Sequence, residues 1–167
     1  TIELGTWTGE PTPTGFTAKS GSSPVTVTIG AGETSLASIR DKINGAGAGV
    51  VASIVTDANG ARLSIRSKDT GAENGFRIAA AETVDDGAAG TGLSALAYDA
   101  TGGASQMSRT QSAINADAPV NGIAISSASN TLTNVVDGVT ISLAKVTTSP
   151  VDVSVTADSA SAKKAIT

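Results

Sequence analysis

Along the chain, apolar positions fall into short runs of period two, broken by Gly, Pro, Asn and Asp, with one stretch of helical period. Thr1–Trp7 reads as a short strand. Gly9–Ser23 carries Pro11, Pro13, Gly15 and Gly21 and reads as a loop that proline keeps open. Val25-Thr26-Val27-Thr28-Ile29 alternates apolar with hydroxyl, which predicts a half-buried strand ended by Gly30-Ala31-Gly32. The helical stretch follows. Leu36, Ile39 and Ile43 fall on one stripe, Thr34 or Ser35 supplies an N-cap, and Asn44-Gly45 a left-handed end.

Val50–Thr56 and Arg62–Ser67 read as a hairpin, with Asn59-Gly60 supplying the positive φ of the turn. Phe76–Ala79 is a further strand. Residues 80–112 have little periodicity, with Leu93, Leu96 and Tyr98 as their bulky anchors, and read as a loop or mobile crossing. A second unit starts near Ser112. Its expected strands carry Ile123 and Ile125, then Val139, Ile141 and Leu143, then Val151, Val153 and Val155. Asn121-Gly122 and Asp137-Gly138 stand where tight turns would start. The tail from Asp158 is weakly helical and looks cut. The pattern gives a mainly β, α+β chain with one or two short helices, in two small antiparallel β-rich domains.

Composition narrows the chemistry. The 167 residues include no His and no Cys, which excludes a Ser-His-Asp triad, a thiol nucleophile, a disulfide and an ordinary zinc or haem site. Net charge is -4 with scattered basic residues, so no nucleic-acid footprint is expected. Only one Trp, one Tyr and two Phe are present, too few for the stacking platforms of sugar or single-strand binders. With 28 Ala, 20 Ser and 22 Thr, bulky packing falls to Val, Ile and Leu. No run of 18 apolar residues occurs, and no signal peptide is visible at a start that lacks Met, as in a fragment or processed chain.

The remaining motifs have plain readings. Asp57-x-Asn59-Gly60 resembles part of a calcium loop, but no closing Glu follows and strands flank it, so it is a hairpin turn. Ser142-x-x-Lys145 and Ser161-x-x-Lys164 lack the partner motifs of a serine acyl-transferase. Asp41 with Asp85-Asp86 lacks the aromatic platform of a glycosidase. Arg62, Arg66 and Lys68 line one solvated strand face. Trp7 is a core anchor or a contact patch. No catalytic, cofactor-binding or metal-binding residue is assigned.

Two stretches carry a family resemblance. Ala116-Asp117-Ala118-Pro119-Val120-Asn121-Gly122-Ile123-Ala124-Ile125, continuing to Asp137-Gly138-Val139-Thr140-Ile141-Ser142-Leu143, resembles the flagellin hook IN motif. Ser35–Asn44, followed by Gly49–Val55, Arg62-Leu63-Ser64-Ile65 and Ser67-Lys68-x-x-Gly71, is similar to the head of the flagellar filament cap family (FliD, hook-associated protein 2). The resemblance implies a non-enzymatic extracellular protein at the filament tip. It would be exported by the flagellar type III route, form a ring-like oligomer, retain flagellin and promote its polymerisation. It also implies an outer head domain over 1–110, and over 111–167 part of an inner domain completed by an N-terminal strand. In that second stretch Ile123, Ile125, Val139 and Ile141 would be core. The helical leg of the family is absent here, so the piece itself is expected to be monomeric, with no membrane or nucleic-acid partner and no cofactor. The alternatives are the outer domain of a flagellin or another hook-associated subunit, and an adhesin using residues 9–23 and 80–112 as contact loops.

Overall fold

The computed structural model describes residues 1–84, 86–102 and 105–154. It is mainly β, with one α-helix and four small antiparallel sheets. The first strand, β1 (Ile2–Thr8), lies between β2 (Gly15–Ala18) and β5 (Gly75–Ile78). A second sheet is the hairpin of β3 (Val50–Asp57) and β4 (Gly60–Ser67). Two further hairpins complete the described chain: β6 (Ala116–Val120) with β7 (Ile123–Ser127), and β8 (Thr131–Val136) with β9 (Val139–Ser142).

Residues 9–23 are not simply a loop. Phe16 and Thr17 pair there with Trp7 and Thr6. The Trp7 and Phe16 rings lie 4.6 Å apart, and this contact sets a register that the short, Gly- and Pro-flanked sequence hides. Phe16 also folds over Gly5, where an added Cβ would stand 2.5 Å from the ring, so only a bare backbone fits beneath it. Val25–Ile29 is not a laddered strand either: it makes one bridge, Ile2 with Val25. Val25, Val27 and Ile29 do face the core while Thr26 and Thr28 face out. The alternation correctly reports sidedness, and sidedness does not require a neighbouring strand.

Helix α1 (Leu36–Gly45) forms where the stripe predicts. The Ser35 side chain caps it by accepting from the Ser38 N–H at 3.1 Å. The left-handed residue beyond its end is Gly47 (φ 67), not Asn44 or Gly45. Asn44 is still helical, and its amide is committed elsewhere: Nδ2 donates to the Ala52 carbonyl at 2.9 Å and Oδ1 accepts from the Ala52 N–H at 2.8 Å. That exchange fastens α1 to β3. Ile39 and Ile43 of α1 then bury against Ile2, Ala48, Val50 and Ala52 to form the core.

The hairpin turns lie where their sequences place them, between Asp57 and Gly60, at Asn121-Gly122 and at Asp137-Gly138. Strands β6 and β8 extend the expected set. Val151 and Val153 are 70 % and 78 % exposed and lie in no strand, and Val155 is outside the described residues. Ile123, expected in the core, is 66 % exposed: it pairs with Val120 beside the turn, where nothing packs over it. Among the described residues of that unit, Leu132 of β8 is the buried apolar one, at 3 %. The N-terminal strand pairs wholly within the first unit.

Candidate functional site

All four aromatic residues of the chain gather at one place. Trp7 contacts Phe16 and lies 6.0 Å from Tyr98, whose ring is 5.7 Å from Phe76. Trp7 is therefore a core anchor, 7 % exposed. The Arg77 guanidinium stacks 4.8 Å above Phe16 and pairs with Glu3 at 2.7 Å. Tyr98 reaches the cluster from the 80–112 segment by a bridge to Ile78, with backbone bonds of 2.9 Å both ways. Burial raises the Tyr98 phenol above its ordinary value.

Beside the cluster, residues 67–75 meet the β6–β7 hairpin through polar groups. Asn74, 5 % exposed, is the hub: its side chain accepts from Lys19 Nζ at 2.6 Å and donates to the Thr70 carbonyl at 2.6 Å. The Ser67 hydroxyl donates to the Asn74 carbonyl. This network shapes residues 67–75 into a hydrogen-bonded bend. The outer side of the bend touches the base of the β6–β7 hairpin. Thr70 Oγ1 donates to the Ala128 carbonyl at 2.7 Å, and the Ala72 N–H donates to Asn115 Oδ1 at 2.9 Å.

A second fastening lies at the tip of the β1–β2 hairpin. Arg109 makes a bidentate pair with Glu10, at 2.5 and 2.9 Å, and donates to the Pro11 carbonyl at 3.0 Å. Ser112 donates to Glu10 at 3.0 Å. The hydrogen bond from Arg109 holds the Glu10 carboxyl below its usual value, and the same bond raises the guanidinium.

The residues weighed from sequence stay apart from both contacts. Asp57 organises its own turn, accepting from the Asn59 N–H at 2.7 Å with Arg62 3.7 Å away. Asp41 pairs with Arg40, and Asp86 accepts from the Ala88 N–H and the Thr91 hydroxyl, while Asp85 lies outside the described residues. Arg62 and Arg66 stand exposed along β4, and Lys68 stands exposed just beyond it. Ser142 ends β9, and Ser161 and Lys164 are outside the described residues. Asn74, Glu10, Arg109, Thr70 and Asn115 carried no sequence signal, because their partners lie 55 to 102 positions away or belong to the backbone. Gly71, within the Ser67–Gly71 stretch, did.

Such an arrangement positions structural units. Comparison with known proteins says which units. The family model of the flagellin hook IN motif matches residues 15–69, and that of the flagellar hook-associated protein 2 C-terminus matches residues 113–167. The hook IN motif thus lies on α1 and the β3–β4 hairpin and not on 116–143, where a similar Asn-Gly turn and Val-Thr alternation suggested it. Flagellar hook-associated protein 2 of Salmonella typhimurium is 36% identical over 143 residues, which are 86% of this chain and 29% of that protein. The chain therefore spans under a third of that relative's length. A crystal structure of the D2-D3 domains of the flagellar cap protein FliD from Escherichia coli superposes with a TM-score of 0.68 at 33% identity, over 89% of this chain and 66% of that one. FliD from Pseudomonas aeruginosa PAO1 superposes with a TM-score of 0.64 at 30% identity, over 99% of this chain and 69% of that one. By this likeness in both sequence and fold, the chain belongs to the flagellar hook-associated protein 2 family, the flagellar cap proteins FliD.

Proposed function

We propose that this chain is the head of a non-enzymatic cap at the tip of the flagellar filament, which retains exported flagellin and promotes its polymerisation. The observation that carries the reading is the agreement with FliD structures along nearly the whole chain at 30–33% identity. In this reading residues 1–110 are the outer head domain and 111–167 are part of the inner one; β1, the N-terminal strand expected to complete the latter, is instead paired with β2 and β5. The full-length protein leaves by the flagellar type III route and self-associates into a ring outside the cell. The 167-residue chain is a monomer on its own. Exposed large apolar side chains such as Val55 on β3 and Ile123 on β7 sit on separate elements, which favours this state.

The test is flagellin released by cells lacking the full-length gene. Unpolymerised flagellin in the medium with short or absent filaments, reversed on restoring the gene, is the expected result. Normal filaments would overturn the capping role and favour an adhesin. Loss of the flagellin subunit itself would favour a structural subunit.

A further inference from the structure

We propose that Gly71 and Ala128 are the two faces of a glycine-dependent joint that sets the orientation of the β6–β9 unit on the head, with the hydrogen bond from Ser112 to the Arg109-held Glu10 carboxylate as its second fastening. The inference stands on contacts within this chain and is independent of the capping role.

The two units do not share a core among the described residues. The main apolar cluster draws on positions 2 to 96, whereas the buried apolar residue of the second unit is Leu132. What joins them is polar and local. Asn115 immediately precedes β6 and Ala128 immediately follows β7, and the adjoining residues Ala116 and Ser127 are paired in register. Both contacts of the bend therefore fall on the open base of one hairpin. Its turn, five residue pairs away, lies about 17 Å further out at about 3.4 Å per residue. A small tilt at the base is a large displacement there.

Gly71 makes the close approach possible. A Cβ at position 71 would stand 2.5 Å from the Ala128 Cβ and 2.8 Å from its Cα. The backbone of Gly71, at φ 100 and ψ 153, lies in a region open in practice to glycine alone. Residues 70 and 72, on either side of it, supply the two hydrogen bonds to the hairpin base. The bend is held by the hydrogen bonds of Asn74, so the joint transmits the head's geometry. Bulk placed on either face must push the hairpin away while leaving the distant core untouched.

The chain suits a direct measurement, because it has one Trp and no Cys. A dansyl group attached through Ile123→Cys, at an exposed position near the hairpin turn, receives energy from Trp7. The labelled chain is compared with the same chain carrying Gly71→Ala, Ala128→Leu or Asn115→Ala. Time-resolved transfer should give a single narrow distance distribution in the parent and a shifted, broadened one in both wedge variants, with a smaller broadening for Asn115→Ala. The unlabelled variants should keep the parent's Trp7 emission, because the head stays folded. Ala128→Leu separates the joint from local strain: the Ala128 Cβ is the atom nearest to a Cβ added at position 71, and the change alters no residue of unusual backbone. An unchanged distribution in Ala128→Leu would overturn the proposal, whatever Gly71→Ala does. A loss of native Trp7 emission in Ala128→Leu would also overturn it, because the contact would then be part of the head's own fold.

Discussion

Asn44 is the residue whose replacement tests the fold most sharply. Its amide closes two hydrogen bonds with the backbone of Ala52, a residue only 3 % exposed, on the side of β3 away from β4. Asn44→Ala removes both. A hydrogen bond is worth about 0.5–1.5 kcal/mol net, and a buried group left without a partner costs about 1–3 kcal/mol. Asn44 itself is exposed, so water can reach the vacated site, and the lower figure applies to each bond, about 2 kcal/mol for the pair. Against this, alanine is the better helix former by about 0.6 kcal/mol. The expected net loss is about 1.5 kcal/mol. With a urea slope of about 2 kcal/mol/M, the midpoint should fall by about 0.75 M without a change in slope. Trp7 fluorescence reports the transition. Gly45→Ala is the control, one residue along the same helix, with nothing within 4 Å of an added Cβ. It should stabilise by about 0.4–1 kcal/mol through the unfolded chain. An Asn44→Ala protein as stable as the parent, beside a Gly45→Ala protein that responds as expected, would refute the role given to the amide.

Other consequences can be measured on the same chain. Ile43→Ala should cost about 2–5 kcal/mol, and Ile39→Asp at least as much, since it turns a charge into the core; urea midpoints near the parent's would contradict the packing. Tyr98, the only tyrosine, should titrate at 295 nm with a midpoint above the ordinary phenol value of about 10. Because that folded-state value is raised, the stability it contributes is present below the unfolded value and is lost as pH rises through the folded one; a midpoint at or below the ordinary value would deny the burial. For Glu10 the sign is opposite. Its value is depressed, so its contribution is present above the ordinary glutamate value of about 4.3 and is lost as pH falls through the folded one. The difference in melting temperature between the parent and Glu10→Gln should shrink with that acidification, and a difference constant with pH would rule the clasp out. Gly122→Ala, at φ 81, should destabilise the β6–β7 hairpin by about 1–2 kcal/mol; unchanged hydrogen exchange of β6 and β7 would show the turn to be unimportant.

What the sequence discloses is local, and what it conceals is pairing. Helix α1 is legible because its stripe and its Ser35 cap lie within one ten-residue window. The hairpins at Asp57–Gly60, Asn121-Gly122 and Asp137-Gly138 are legible because the turn residues dictate them. Strand β2 is not: its four residues become a strand only because Trp7 offers Phe16 a ring to pack on. Strand β6, Ala-Asp-Ala-Pro-Val, hides for a different reason, since small residues and Pro119 do not declare a strand and are tolerated at an edge. The alternations at 25–29 and 151–155 look alike, yet the first is anchored by its apolar side chains and the described part of the second is exposed. Asn74 shows the limit most clearly. Nothing about an Asn in a Gly-rich turn announces that it will be buried, with Lys19 brought from 55 positions away to satisfy it.

The division of labour between the two units follows from composition. The chain spends its four aromatic rings and most of its buried isoleucine on the first unit, where Trp7, Tyr98, Ile39 and Ile43 supply a core. Among the described residues the second unit has hydroxyl-rich hairpins around Leu132, with little buried apolar surface to fix its placement. Its position must then come from groups that make directional contacts, and Ser, Thr and Asn are what the chain has in abundance. Thr70, Ser112 and Asn115 serve there, with Ser67 and Asn74 behind them. A scarcity of large side chains also lets backbones meet, as at Gly71 against Ala128. The same residue usage that leaves little for a large core therefore supplies the means to hold two small units in a defined relation.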